Sequence, residues 1–266
     1  MNELCASFFR LMKNDNHIAV FVAGIDRACE VGKLLLPILE NQDPIQKRNI
    51  LVLLFVRKTL RLLDAMKCLL TYQFDEEAQI LVRALFETRI TVDYFLILAQ
   101  KDYDETFRRY LDCVMLDKMR QIEALNFSIL PTKSAKNRWI KIKNEISANY
   151  DPKVLATMKK HGFTCLSLEA RAIKTGNKKL YDLVYRMYSR NIHAADVTDQ
   201  LTPYLLSGKD NKEFDDSRIG MILNVAFLCG IGVIKAANEW LGNPVDLSKY
   251  DLTKPSTSTL NEKAGT

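Results

Sequence analysis

Apolar residues recur every three or four positions along almost the whole chain, and period-two alternation never persists. That pattern predicts helices and gives no sustained strand signal. The spacing predicts a short helix over Glu3–Lys13 and longer ones over about His17–Glu40, Pro44–Leu70, Asp75–Gln100 and Tyr103–Asn126. Pro44 suits a first helical turn. Asp75, Glu76 and Glu77 suit a helix start, as do the acidic residues that open the helix at Tyr103, because carboxylates there meet the positive end of the backbone dipole. From Ser128 to Asn177 the pattern is broken by Pro131, Pro152, Gly162 and Gly176, which predicts two or three shorter helices. Asn177 is a candidate cap for a helix over Lys178–Ala194. Thr198–Asp210 is rich in turn formers, and a long last helix is predicted over about Glu213–Leu241. The expected architecture is all-α: a single helical-bundle domain over residues 1–242, a helical insertion at about 128–177, and a mobile polar tail over 243–266.

Composition supports long elements. Only 10 glycines and 7 prolines punctuate 266 residues, and 48% of them are hydrophobic, enough for a sizeable core. The longest apolar run, Ile219 to Ile234, is interrupted by Asn224. It is shorter than the ~20 residues a membrane-spanning helix needs, so a buried core helix is expected and no membrane partner. Gly220, Gly230 and Gly232 on this helix allow close approach, either within the core or across a dimer. The N-terminus, MNELCASFFRLMKND, lacks the basic and apolar regions of a secretory signal. The six cysteines are scattered with no C-x-x-C pair, so neither a zinc site nor a redox motif is read from them. A cytoplasmic protein with reduced thiols is the expectation.

Charge sharpens the picture of the insertion. The net charge is +6, yet between Lys133 and Lys179 twelve Lys and Arg residues face only Glu145, Asp151 and Glu169. The remainder of the chain is therefore slightly acidic. A basic region on an acidic body can attract polyanions, and it can equally be a solvated helical face.

Two helices carry candidate chemistry. On the first, Arg83 and Glu87 are four residues apart and share a face, with Tyr94 seven further on. On the second, Tyr185 to His193 reads YRMYSRNIH. Arg186 and His193 are two turns apart, with Ser189 and Arg190 between them and Asn191 adjacent. Arg offers a fixed charge and a planar fork that suits phosphate. His exchanges protons near neutral pH. RNA cleavage needs a base for the 2′-hydroxyl, a cation for the charged transition state and an acid for the leaving 5′-oxygen. The same residues also fit a plainer account, an internal Arg–Glu bridge and a histidine that caps its helix. No E-x-x-H repeat of the ferritin kind is present, so no metal and no cofactor is expected.

The pairing of LVRALFE (Leu81 to Glu87) with YRMYSRNIH resembles a prokaryotic family of helical proteins of unknown function. Its members carry an R-x-x-x-E helix followed about a hundred residues later by a Y-R-x-x-S-x-x-x-H helix. That family in turn looks distantly similar to the HEPN superfamily, small helical bundles with an Arg, four to six residues, then His. Here Met187 follows Arg186 where HEPN enzymes usually carry a polar residue. The resemblance implies a dimeric, metal-independent ribonuclease of toxin–antitoxin or anti-phage defence systems. Arg186, Arg190, His193 and Glu87 would then be catalytic, and Arg83, Tyr94, Ser189 and Asn191 would bind substrate. RNA, a second copy of the chain and an antitoxin or defence partner are the implied partners. The alternative left open is a non-catalytic helical module that binds a nucleotide, RNA or a protein.

Overall fold

The computed structural model describes residues 17–40, 47–72, 74–125, 132–192 and 208–249. Among them the structure is helical, with no strand: α1 (His17–Glu40), α2 (Lys47–Thr71), α3 (Asp75–Ala99), α4 (Tyr103–Ala124), α5 (Lys133–Ala148), α6 (Pro152–His161), α7 (Leu168–Lys174), α8 (Lys178–Ile192) and α9 (Gly208–Trp240), then a 3-10 turn at Leu247–Lys249. The all-α expectation holds, and the starts at Asp75 and Tyr103 fall where the acidic residues put them. The predicted helix over Glu3–Lys13 lies outside the described residues, as does Pro44. The stretch expected to be turn-rich through Asp210 is already helical from Gly208.

The chain divides into two compact units. The first combines residues 1–92 with 177–266, and the second is the contiguous stretch 93–176. The predicted basic insertion at 128–177 therefore falls largely within a unit that also takes in α4 and the end of α3.

The first unit is built on α9. Ile222, Val225, Phe227, Val233 and Ile234 of this helix are buried, and α9 packs against both α1 and α2. The stretch Ile219–Trp240 is 22 residues, long and apolar enough to cross a membrane by length and composition, so it exceeds the run to Ile234 read from sequence. Within the unit 67% of its most apolar window is buried, which is how a central core helix uses such a surface. Glycines allow helices to approach closely here. A Cβ on Gly230 would lie 2.8 Å from Leu63 Cδ1, and one on Gly32 would lie 2.6 Å from Leu60 Cδ2. A Cβ on Gly232 would coincide with the Arg89 guanidinium. Gly230 and Gly232 thus serve contacts with α2 and α3 of the same chain.

Polar ties line the edges of this unit. Lys67 of α2 pairs with Asp26 of α1, and Arg57 Nη2 donates to Glu40 Oε1 at 2.6 Å. Trp240 Nε1 donates to Asn49 Oδ1 at 3.2 Å, joining the end of α9 to the start of α2. Asn238 is buried and closes the chain after α9, with its Oδ1 accepting from Val245 N at 3.1 Å and its Nδ2 donating to Val245 O at 2.9 Å. Residues 243–249 of the expected tail are thereby tied back to α9, and residues from 250 on lie outside the described part.

The second unit has a smaller core. Phe95 meets the rings of Tyr103, Tyr110 and Phe163, with centroids 6.2, 6.2 and 6.3 Å away. Its helices are short and each carries a side-chain cap. Asp102 Oδ1 accepts from Glu105 N at 3.0 Å and Thr132 Oγ1 from Ala135 N at 3.1 Å. Asp151 Oδ1 accepts from Lys153 N at 2.8 Å and Ser167 Oγ from Ala170 N at 3.1 Å. Such caps satisfy backbone donors that have no partner inside the helix. Three helices, α5 to α7, occupy the stretch for which two or three were predicted.

Candidate functional site

Tyr181 and Tyr185 are one turn apart on α8, so their rings project from one face. They stack on each other, with centroids 5.0 Å apart and planes 14° from parallel. Tyr181 also leans on Phe86 of α3 at 6.3 Å, and Phe86 is fully buried. One turn before Phe86 on α3, Arg83 lays its guanidinium over the Tyr185 ring, 4.7 Å from the centroid. The helix carrying R-x-x-x-E and the helix opening Y-R-x-x-S therefore meet, and the meeting point is the first residue of the second motif.

The geometry around Arg83 leaves it half engaged. Its Nε donates to Glu87 Oε1 at 3.1 Å, as the four-residue spacing predicts. Its face rests on Tyr185. Among the described residues no acceptor engages its two Nη groups. The Glu87 side chain is 46% exposed and that of Arg83 is 21% exposed. A pair so open to water contributes only about 0–1 kcal/mol to stability, so it is a weak and accessible bridge within α3. At the start of α8, Lys178 sits 5.3 Å from the Tyr181 centroid and pairs with Asp182. Buried Asn177 precedes it, with its carbonyl accepting from Tyr181 N at 2.9 Å.

Of the predicted site residues, Arg83 and Glu87 are brought together. Arg186, Ser189, Arg190 and Asn191 lie on the α8 backbone, but their side chains fall outside the described part of the structure. His193 lies outside it altogether. Tyr94 belongs to the second unit, where it is buried and Lys174 Nζ stands 5.9 Å from its ring centroid. Sequence reasoning missed Tyr181, on which Tyr185 stacks, and Phe86, on which Tyr181 leans. The i, i+4 spacing of Tyr181 and Tyr185 was the available signal. Nothing in the sequence pairs Arg89 with Gly232. Among the described residues, no three His, Cys, Asp or Glu side chains gather closely enough to hold a metal ion.

An all-helical protein in which an R-x-x-x-E helix and a Y-R-x-x-S helix pack through stacked aromatic rings is the class these features define. Residues 49–213, well over half of the chain and inclusive of both motif helices, match DUF5677, a family of unknown function. The chain belongs to that family. No curated protein and no solved structure matches it.

Proposed function

We propose that the chain is a HEPN-like, metal-independent endoribonuclease of the cytoplasm that acts as a toxin or anti-phage effector. The observation that carries this reading is the seating of Arg83 on Tyr185, which brings the two motif helices into contact and leaves the Nη edge of Arg83 beside the α8 segment that continues into Arg186. An arginine held flat on a ring and fixed at Nε presents its remaining donors as a fork suited to a phosphate.

In this proposal Arg186 and Arg190 hold the scissile phosphate and balance charge in the transition state. His193 takes the 2′-hydroxyl proton, the 2′-oxygen attacks phosphorus, and the bond to the 5′-oxygen breaks. A second His193, brought by a homodimer, protonates the departing oxygen. Products are a 2′,3′-cyclic phosphate and a free 5′-hydroxyl. Glu87 orients Arg83, and Ser189 and Asn191 contact the substrate. An antitoxin or defence partner restrains the activity.

The test is cleavage of RNA by purified protein in the presence of a chelator, with growth arrest on expression as a parallel readout. His193→Ala and Arg186→Ala should each abolish both while far-UV circular dichroism and the melting temperature stay unchanged. Wild-type protein that leaves RNA intact and arrests no growth overturns the proposal. One observation favours a second reading, a non-catalytic binding module: Arg83 is engaged within its own chain by Glu87 and Tyr185. Under that reading the same substitutions weaken binding of a nucleotide, an RNA or a protein and change no rate.

A further inference from the structure

The second unit is polarised in charge. Between Asp93 and Ala124 seven acidic residues outnumber five basic ones, whereas between Thr132 and Gly176 ten basic residues stand against three acidic ones. The acids of α4 are used locally. Glu105 and Asp112 flank Arg108 at 2.5 and 3.4 Å, Glu105 lies 3.6 Å from Arg109, and Asp117 pairs with Arg120. Glu123 reaches across to Lys143 of α5 at 2.5 Å. Little negative charge remains to neutralise α5 and α6. Lys133, Arg138, Lys153, Lys159 and Lys160 are all exposed, and among the described residues none has a carboxylate within salt-bridge distance.

Both helices are docked on α4 by their apolar and backbone groups. Ile146 of α5 and Met158 of α6 are buried, and Arg120 Nη1 donates to the Lys159 carbonyl at 3.1 Å. Tyr150, in the turn between them, donates its hydroxyl to Asp112 Oδ2 at 2.7 Å. With Ile146 and Met158 committed inward and one large apolar side chain, Ile140, exposed at 36%, the outward faces of these helices are mainly cationic. A membrane-surface helix needs the opposite, a free apolar face to bury among lipids. A phosphate backbone needs only accessible positive charge.

We infer that the outward faces of α5 and α6 form a sequence-independent docking surface for the phosphate backbone of single-stranded RNA. The choice of RNA among polyanions rests on the nuclease reading above. Affinity for such a strand comes from release of condensed counterions, so it falls steeply with salt.

The experiment uses the full chain and a 2′-O-methyl oligonucleotide, which lacks the attacking hydroxyl, followed by fluorescence anisotropy across a salt series. Wild-type protein should bind and lose affinity by on the order of 100-fold between about 50 and about 200 mM salt if all five cations make contact. The combined Lys133→Gln, Arg138→Gln, Lys153→Gln, Lys159→Gln and Lys160→Gln variant should bind more weakly, with the slope of log affinity against log salt reduced by about 0.7 for each contact removed. A single Lys153→Glu reversal serves as a milder second variant. An unchanged slope, or no binding by wild-type protein, overturns the inference. So does loss of binding to phosphatidylserine vesicles with oligonucleotide binding intact, which would assign the surface to a membrane. A chain that binds RNA through these residues but never cleaves it retires the nuclease reading and leaves the docking surface standing. A chain that cleaves RNA at an unchanged rate after the five substitutions does the reverse.

Discussion

The two compact units hold themselves together by different means. In the first, long helices bury side chains supplied from distant parts of the sequence, and its glycines are placed where another helix presses in. In the second, most stabilising signals are local: a capping side chain before each helix, Gly162 and Gly176 with φ of +77° and +70° after α6 and α7, and ion pairs within α4. The first unit therefore depends on partner choice across the chain, and the second depends on sequence signals within a few residues. The two tryptophans make the difference measurable, because Trp240 belongs to the first unit and Trp139 to the second. Trp139→Phe leaves a reporter for one unit and Trp240→Phe leaves a reporter for the other.

The sharpest way to break the first unit is Phe86→Ala. Phe86 is fully buried and supports Tyr181, so its removal should cost about 3–5 kcal/mol, read as a lower urea midpoint in the Trp240 fluorescence. A loss below ~1 kcal/mol would mean that α8 is not held through this ring. Next in size is Gly230→Val. The added carbons meet Leu63, which has no free space because it is fully buried. Overpacking of this kind costs about 1–3 kcal/mol. Leu63→Ala in the same chain should give back part of that loss, and strictly additive effects would show that the two side chains do not share the space.

Caps set a smaller scale for the second unit. Asp102→Ala removes the acceptor for Glu105 N and should cost about 1 kcal/mol, seen with Trp139 and not with Trp240. An equal shift in both reporters would dissolve the contrast between the units. The last effect is absent at neutral pH and develops only at high pH. Burial, helped by the neighbouring Asp64 carboxylate, pushes the Cys29 thiol up to about 12 from 9.0. A raised value means the neutral thiol is favoured by folding, so the associated stability is present below pH 9 and fades as pH climbs towards 12. Cys29→Ala should flatten the alkaline decline of the Trp240 melting temperature over that window. An unchanged slope would assign the decline to other groups.

The sequence was most legible where a local rule decides the outcome. The acids at Asp75 and Asp104 marked helix starts, the prolines and glycines of residues 131–176 marked short helices, and the four-residue spacing of Arg83 and Glu87 foretold their bridge. It was least legible where a residue's partner lies far away in the chain. Gly232 is silent until Arg89 is seen lying on it, and the α9 run reads as a core helix without saying that α1 and α2 are what pack on it. The candidate site divides the same way. The spacing of Arg186 and His193 is an expectation from periodicity alone, whereas the seat of Tyr185 needs Phe86 and Tyr181 in three dimensions.

The first unit's assembly from two segments also fixes the order in which the newborn chain becomes stable. A ribosome releases α1 to α3 first, then the whole of residues 93–176, and only then α9, around which the first core closes. At roughly 5–20 residues per second, the apolar faces of α1 and α2 wait on the order of 10–30 s for their central helix. In that interval the middle of the chain can already fold from its own signals. Nascent chains stalled before Gly208 should accordingly be cut by protease within α1–α3 and protected within α4–α6. Equal sensitivity in both regions would show that folding waits for the complete chain.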